Sequence, residues 1–150
     1  MAIKNFRSPD TRAGTIADKI LVSDYMVPRN RLITFSPKLS IGEAMQILVT
    51  NNIAGACVLD ENDMILGMIS EGDCMKKIAH SRYYNIPLHD QTVEEYMEII
   101  VESIKGDTNI FDAAHMFCTS RRNRFPVTEG DKIIGQISRK DVLKAALEMR

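Results

Sequence analysis

Residues 40–48 read Ser-Ile-Gly-Glu-Ala-Met-Gln-Ile-Leu, and residues 109–117 read Asn-Ile-Phe-Asp-Ala-Ala-His-Met-Phe. Apolar residues fall at i, i+3, i+4 and i+7 in both stretches, and this spacing predicts an amphipathic helix. Each stretch begins with a residue that caps helices, Ser40 or Asn109, and has an acid three positions later, Glu43 or Asp112; such a pair marks a helix start. The chain therefore contains an internal repeat, and the repeat decides the fold.

The repeat extends on both sides of these helices. After each helix come two short apolar runs separated by a polar turn, which is the pattern of a β-hairpin, and then a second helix. One more strand precedes each first helix. The predicted strands are 32–35, 56–59 and 64–70 in the first copy, and 101–104, 125–128 and 132–138 in the second; the second helices are 73–79 and 141–149.

Each half thus has the order strand, helix, strand, strand, helix, and is too short to bury a sufficient core alone. We predict an α/β fold in which two β-α-β-β-α repeats pack sheet against sheet around a pseudo-two-fold axis. The predicted organisation is an N-terminal arm at 1–20, a first repeat at 21–80, a linker at 81–92 and a second repeat at 93–150.

Composition narrows the classes of function. Of the 150 residues 45% are apolar and 26% are charged, and the formal net charge is −1. A nearly neutral chain has no overall field to hold it on DNA or on an anionic membrane. Charged residues are scattered through the first twenty positions, and no apolar run approaches the length of a membrane span. We expect a cytoplasmic protein without membrane contact, in which the three cysteines are small apolar core residues.

A seven-residue pattern closes the hairpin in both copies: glycine, two strand residues, serine, any two residues, then aspartate. It reads Gly67-Met68-Ile69-Ser70-Glu71-Gly72-Asp73 in the first copy and Gly135-Gln136-Ile137-Ser138-Arg139-Lys140-Asp141 in the second. Together with the opening segment 32–44, this pattern resembles paired CBS domains, also called Bateman modules. The resemblance covers residues from about 22 to 147.

The resemblance implies a regulatory module that holds AMP, ADP or ATP in the cleft between its repeats, with S-adenosylmethionine or NAD as alternatives. It implies neither catalysis nor a required cofactor. The aspartate of each pattern would bind the ribose hydroxyls and the serine would assist, giving one site at Ser70 and Asp73 and another at Ser138 and Asp141. The residues implied beside the base are Thr34, Ser103, Ala56, Cys57, Phe125 and Pro126.

Charge separates the two implied sites. Basic residues surround the second pattern, whereas Glu71 and Gly72 follow the serine of the first. We therefore expect the nucleotide phosphate at Ser138 and Asp141. The basic residues expected to attract it are Arg122, Arg124, Arg139 and Lys140, with Arg121 nearby.

Several alternatives remain open at this stage. Ser-x-x-Asp before a helix is also an ordinary capping box. The chain could be a scaffold for protein interaction with unoccupied clefts, or could bind nucleic acid through the basic stretch 121–124, although that stretch lacks interleaved aromatics. His115 and Cys118 are too few for a zinc site, so we predict helix packing there. The resemblance further implies a homodimer that regulates an enzyme or a transporter.

Overall fold

The computed structural model describes residues 19–85, 87 and 89–148, so that nearly all of the predicted arm lies outside the described residues. Six helices and seven strands are assigned within these ranges. The helices are α1 (Val22–Tyr25), α2 (Ile41–Thr50), α3 (Glu71–Tyr84), α4 (Val93–Tyr96), α5 (Ile110–Thr119) and α6 (Arg139–Glu148). The strands are β1 (Val27–Pro28), β2 (Thr34–Phe35), β3 (Gly55–Leu59), β4 (Ile65–Ser70), β5 (Ile104–Lys105), β6 (Arg124–Glu129) and β7 (Lys132–Ser138).

The two repeated helices form where the spacing predicted them. Ser40 Oγ accepts the Glu43 N–H of α2 at 3.1 Å, and Asn109 Oδ1 accepts the Asp112 N–H of α5 at 2.8 Å. These bonds satisfy amide groups that a helix start would otherwise leave unpaired. Both helices bury the predicted apolar stripe, which includes Ile41, Ala44 and Leu48 in α2 and Ile110, Ala113 and Phe117 in α5.

The sheets repeat the same arrangement. In the first, β3 lies between a parallel β2 and an antiparallel β4. In the second, β6 lies between a parallel β5 and an antiparallel β7. Helix α2 or α5 connects the two parallel strands of each sheet, and a tight turn connects the two antiparallel ones. The predicted α/β fold of two similar repeats is confirmed.

The two repeats exchange their first segments, which the sequence interpretation did not include. Strand β1, from the first repeat, pairs with β7 through Val27–Gln136 and Pro28–Gly135. Glu98, from the second repeat, forms an antiparallel bridge with Met68 of β4. Val22 is buried in the core of the second repeat, and Val93 is buried in the core of the first. Each core is therefore completed by the other half of the chain.

Helix α3 continues to Tyr84 and so takes up the first part of the predicted linker. It ends at Asn85, whose φ of 57° lies in the left-handed region; asparagine is among the residues that adopt this conformation with little cost. Lys77 of α3 is fully buried and donates to Gln91 Oε1 at 2.5 Å. The Tyr96 hydroxyl donates to the same oxygen at 2.9 Å. These bonds hold the end of the predicted linker against α3 of the first repeat and against α4.

The prediction for the cysteines is correct at two positions. Cys74 lies in the core of the first repeat, and Cys57 lies with Leu59 and Ile133 in a small cluster between the two sheets. Cys118 is exposed on α5 because it lies outside the apolar stripe of that helix, so its assignment to the core was wrong.

Candidate functional site

The two Ser-x-x-Asp pairs have the same geometry. Ser70 donates to Asp73 Oδ2 through both its N–H and its hydroxyl, each at 2.9 Å. Ser138 donates to Asp141 Oδ2 in the same way, at 2.8 and 3.0 Å. The N–H of each aspartate donates back to the serine Oγ at 3.3 Å. Both pairs are therefore capping boxes, at the starts of α3 and α6.

Capping leaves part of each carboxylate available. Every hydrogen bond that the two carboxylates accept is made to Oδ2, and within the described residues Oδ1 of neither aspartate accepts one. An ionised carboxylate has capacity for several donors, so an aspartate can cap its helix and also accept from a diol. The two sites differ in access, because Asp73 is buried with 9% of its surface exposed, whereas Asp141 is half-buried.

Strand alternation shows which way these pairs face. Side chains two residues apart lie on one face of a strand, so Ser70 shares its face with Met68, and Met68 packs in the cluster between the sheets. Glu98 lies opposite Met68, and directly opposed residues share a face. By the same argument Ser138, Gln136 and Val27 share a face. We call these two surfaces the first cleft, at Ser70 and Asp73, and the second cleft, at Ser138 and Asp141.

Arg124 reaches from the second repeat to the first. It pairs with Ser138 in the β6–β7 ladder, and its Nη1 lies 3.1 Å from the position that a Cβ on Gly55 would occupy. Gly55 in turn pairs with Ser70. The guanidinium group therefore lies at the level of both serines, where the two repeats meet.

The second cleft is basic. Arg139 and Lys140 are exposed and occupy the first two positions of α6, beside the positive end of the helix dipole. Arg139 donates from Nε to the Arg122 carbonyl at 3.1 Å and lies over the Phe117 ring. A turn that contains Arg29 and Arg31 packs against β7, although Arg29 is paired with Asp63 through two bonds of 3.2 Å.

The side chain of Arg122 points elsewhere, which corrects its assignment to the second cleft. Its Nη1 and Nη2 donate to the two carboxylate oxygens of Glu98 at 3.1 and 3.2 Å, and its Nε donates to Glu102 at 3.2 Å. Nη2 also donates to the Ile100 carbonyl at 3.4 Å. These hydrogen bonds raise the pKa of Arg122 further. Arg122 thus belongs to the first cleft, because Glu98 faces that cleft.

Most residues predicted beside the base are not at the cleft surfaces. Phe125 is fully buried in the second core, 4.6 Å from Phe117 between ring centres, and Ala56 is buried in the first core. Cys57 and Pro126 are also buried. Burial raises the pKa of the Cys57 thiol to about 12, although the charges of Arg124 and Arg29 oppose the increase. The alternation along β3 and β6 directs Ala56 and Phe125 inward.

The other two residues predicted beside the base, Thr34 and Ser103, lie apart from the serine–aspartate pairs. Thr34 is half-buried in β2, opposite Cys57. Ser103 is exposed and lines a cavity of about 360 Å³ between the repeats. The other lining residues are Met64, Ile65, Ile99, Val101, Lys105, Thr128, Gly130 and Asp131. Neither Ser-x-x-Asp pair lines that cavity.

Two residues that the sequence interpretation missed, Glu98 and Glu102, give the first cleft its acidic character. The sequence does contain a pattern that indicates where these two glutamates lie. The pattern valine, any residue, acid, tyrosine, methionine occurs at 22–26 and again at 93–97. It shows that the repeat begins before the strands at 32 and 101, and that 98–102 corresponds to the segment after Met26.

Within the described residues no group of three or more His, Cys, Asp or Glu side chains could hold a metal ion. None of the helices described is long and apolar enough to cross a bilayer.

Comparison with known proteins identifies the family. The CBS domain family matches residues 22–80 and residues 93–148. These two segments make up most of the chain and coincide with the two structural repeats.

The chain belongs to the CBS-domain family.

Known CBS proteins resemble it over nearly the whole described length. CBSX2, a chloroplastic CBS domain-containing protein of Arabidopsis thaliana, is 26% identical over 153 residues, a match that covers 86% of this chain and 64% of CBSX2. The chain thus spans less than two thirds of that relative. The crystal structure of CBSX2 in complex with AMP superposes with a TM-score of 0.75 at 28% identity, covering 87% of this chain and 98% of that one.

A second relative is an enzyme. Inosine-5′-monophosphate dehydrogenase of Methanocaldococcus jannaschii is 28% identical over 131 residues. The match covers 85% of this chain and 23% of the dehydrogenase.

Proposed function

We propose that this CBS pair is a regulatory module, without catalysis of its own, that binds an adenine nucleotide of the AMP, ADP or ATP type in its second cleft. The observation that carries the proposal is the half-buried Asp141 carboxylate, which has Arg124 opposite its capping serine and Arg139 and Lys140 in the same first turn of α6. A carboxylate suits the two hydroxyls of a ribose, and the cations and helix start suit a phosphate. CBSX2, solved with AMP, supports the ligand class.

The mechanism would be linkage between binding and the arrangement of the repeats. The second cleft is built from both halves of the chain, since β1 lies beside β7 and Arg124 reaches Gly55. A ligand there contacts both repeats and stabilises one relative arrangement over others. At a concentration one hundred times its Kd, a ligand contributes about 2.7 kcal/mol, which is enough to shift a two-state equilibrium appreciably.

The test uses two matched aspartate variants. We expect AMP to raise the Tm of the wild-type chain and to bind in calorimetry. Asp141→Ala should weaken AMP binding roughly tenfold or more, because it removes hydrogen bonds to a charged group. Asp73→Ala is the control, since it removes an equivalent cap, worth about 1 kcal/mol, and should leave the AMP affinity unchanged. Loss of binding in Asp73→Ala with retention in Asp141→Ala would contradict the choice of cleft.

The identity of the nucleotide is tested in the same experiment. AMP, ADP and ATP should compete for one site, and S-adenosylmethionine and NAD are the alternatives to include in the panel. If none of these compounds shifts the Tm, the chain is better explained as a scaffold with unoccupied clefts.

Nucleic-acid binding through 121–124 is a weaker candidate. Arg122 is engaged by two carboxylates, and Arg124 extends across to the first repeat. The expected observation is therefore no salt-dependent binding to random oligonucleotides.

We further propose that two chains form a homodimer, that the regulated partner is an enzyme or a transporter, and that the protein acts in the cytoplasm. The dehydrogenase relative supports an enzyme as partner, because in it the matching segment is part of a catalytic chain. The location stays a prediction, since the relative CBSX2 is chloroplastic.

A further inference from the structure

The first cleft contains an ion-pair network that we call the Arg122 clamp: Arg122, Glu98 and Glu102. Four donor–acceptor contacts join Arg122 to these carboxylates and to the Ile100 carbonyl, at 3.1 to 3.4 Å. A guanidinium group has five N–H donors, so the clamp uses most of them. Two carboxylates around one cation leave a net negative charge, and Glu71 and Asp73 add to it at the start of α3. Arg124, whose Nη1 lies beside Gly55, opposes part of this charge but not all of it.

The exchanged segments explain why the two clefts differ in charge. After β1, the segment beside the second sheet carries Arg29 and Arg31. After Met97, the corresponding segment beside the first sheet carries Glu98 and Glu102. The two clefts thus have the same backbone and the same Ser-x-x-Asp pair. The wall that faces the pair carries two carboxylates around one arginine in the first cleft, and in the second cleft Arg31 with an Arg29 that Asp63 neutralises.

From this contrast we infer that the Arg122 clamp excludes phosphate-bearing nucleotides from the first cleft and leaves it to adenosine compounds that carry no phosphate. A phosphate entering there would meet Glu98 and Glu102, and could gain Arg122 only by displacing them. The ribose of an adenosine compound without phosphate could bind the Asp73 carboxylate, and no phosphate group would be repelled by Glu98 and Glu102. This inference rests on the proposed function, because it assumes that the clefts of this CBS pair hold adenosine compounds.

Calorimetry with AMP and with adenosine tests the inference. The wild-type chain should bind one AMP per chain, through Asp141. In an Asp141→Ala background, adenosine should still bind, and AMP should bind at least tenfold more weakly than adenosine. Adding Asp73→Ala should then remove the adenosine binding. Adding Glu98→Gln and Glu102→Gln to Asp141→Ala should tighten AMP binding roughly tenfold or more, because two nearby negative charges are lost.

A charge-matched control separates the clamp from overall charge. Glu61→Gln in the β3–β4 turn together with Glu129→Gln at the end of β6, both exposed, makes the same change in net charge and should leave AMP binding to Asp141→Ala unchanged. A Tm measurement of each variant establishes that it is folded, and Arg122→Gln with Glu98→Gln provides a second way to dismantle the clamp.

The outcomes distinguish this inference from the proposed function. Two AMP molecules per wild-type chain, one lost with each aspartate, would overturn the exclusion and leave the proposed function intact. Asp141→Ala binding neither compound, or the glutamine variants failing to admit AMP, would overturn the inference in the same way. A wild-type chain that binds no adenine nucleotide at all would instead overturn the proposed function.

Discussion

At the scale of single residues, the serine–aspartate pairs have a structural role that is compatible with the proposed chemical one. Oδ2 of Asp141 holds the start of α6, while Oδ1 accepts no hydrogen bond from the described residues. The cap also orients the carboxylate before a ligand arrives, which reduces the cost of ordering it on binding. The capping interpretation and the ribose interpretation are therefore compatible.

The thiol groups should differ strongly in reactivity. Thiolate is the reactive form. Burial raises the pKa of Cys57 to about 12, and burial with the charge of Asp73 raises the pKa of Cys74. A raised pKa means less thiolate at any pH below it, so both groups should react slowly. With a thiol reagent at pH 8 we expect one thiol, that of Cys118, to react fast in the folded protein. After unfolding, all three thiols should react fast. Cys118→Ser should remove the fast phase, and a fast phase that persists in this variant would contradict the packing described.

Residue roles could be predicted only where they depend on local pattern. Alternation along β6 was available from the sequence and places Phe125 in the core, away from any base. The partner of Arg122 was not available, because Glu98 and Glu102 lie more than fifteen residues earlier and reach it through an exchanged segment. The sign of a charged cleft depends on such long-range pairs, which local sequence does not encode.

At the scale of elements, the glycine of the closing pattern permits the exchange. A Cβ on Gly67 would lie 2.6 Å from the Glu98 carbonyl oxygen, and one on Gly135 would lie 2.5 Å from the Val27 carbonyl oxygen. These oxygens belong to backbone that pairs with β4 and β7, so a side chain would push the exchanged segment away. The equivalent glycines of the two copies, Gly67 and Gly135, thus allow the same close approach of an exchanged segment.

We expect Gly67→Ala and Gly135→Ala each to lower the free energy of unfolding by about 1–3 kcal/mol, the usual cost of overpacking. Gly72→Ala is the matched control. It lies in α3, where a Cβ would meet Ser70 Oγ at an ordinary 3.7 Å, and alanine favours a helix by about 0.5–1 kcal/mol. Urea unfolding of the three variants measures the difference. Equal stability of all three would show that the segments do not pack this closely.

The helices and hairpins were predictable because each carries its own periodicity and caps. The exchange was harder to predict, because β1 has two residues and Met68–Glu98 is a single bridge. Elements this short show no hydrophobic periodicity that could be detected in the sequence. Their positions depend on Val22, which packs in the core of the second repeat, and on Val93, which packs in the core of the first. Repetition of the pattern around Tyr25 and Tyr96 was the available sign.

At the scale of the whole molecule, apolar side chains remain exposed on the helices of both repeats. Val49, Met75 and Ile78 line a cavity of about 590 Å³ between α2 and α3, with exposures of 80%, 60% and 44%. In the second repeat, Leu143 and Leu147 of α6 are more than half exposed. Exposed apolar side chains grouped on a helix surface are typical of an interaction site, and this supports the proposed homodimer. Because the helices of both repeats expose apolar side chains, a second copy of the chain related by two-fold symmetry can cover the helices of both repeats at once.

The proposed dimer should therefore be separable by substitutions outside the clefts. Met75→Asp with Ile78→Asp places two charges in the α2–α3 groove, and we expect light scattering to change from twice the chain mass to the chain mass. Tyr83→Asp is the control, since Tyr83 is 84% exposed on the same helix but does not line the groove; it should stay dimeric. AMP should bind the monomeric variant with a similar Kd, because the second cleft is completed within one chain by β1 and Arg124. A wild-type chain that is monomeric at micromolar concentration would contradict the pairing, and AMP affinity lost together with the dimer would show that the cleft needs the second copy.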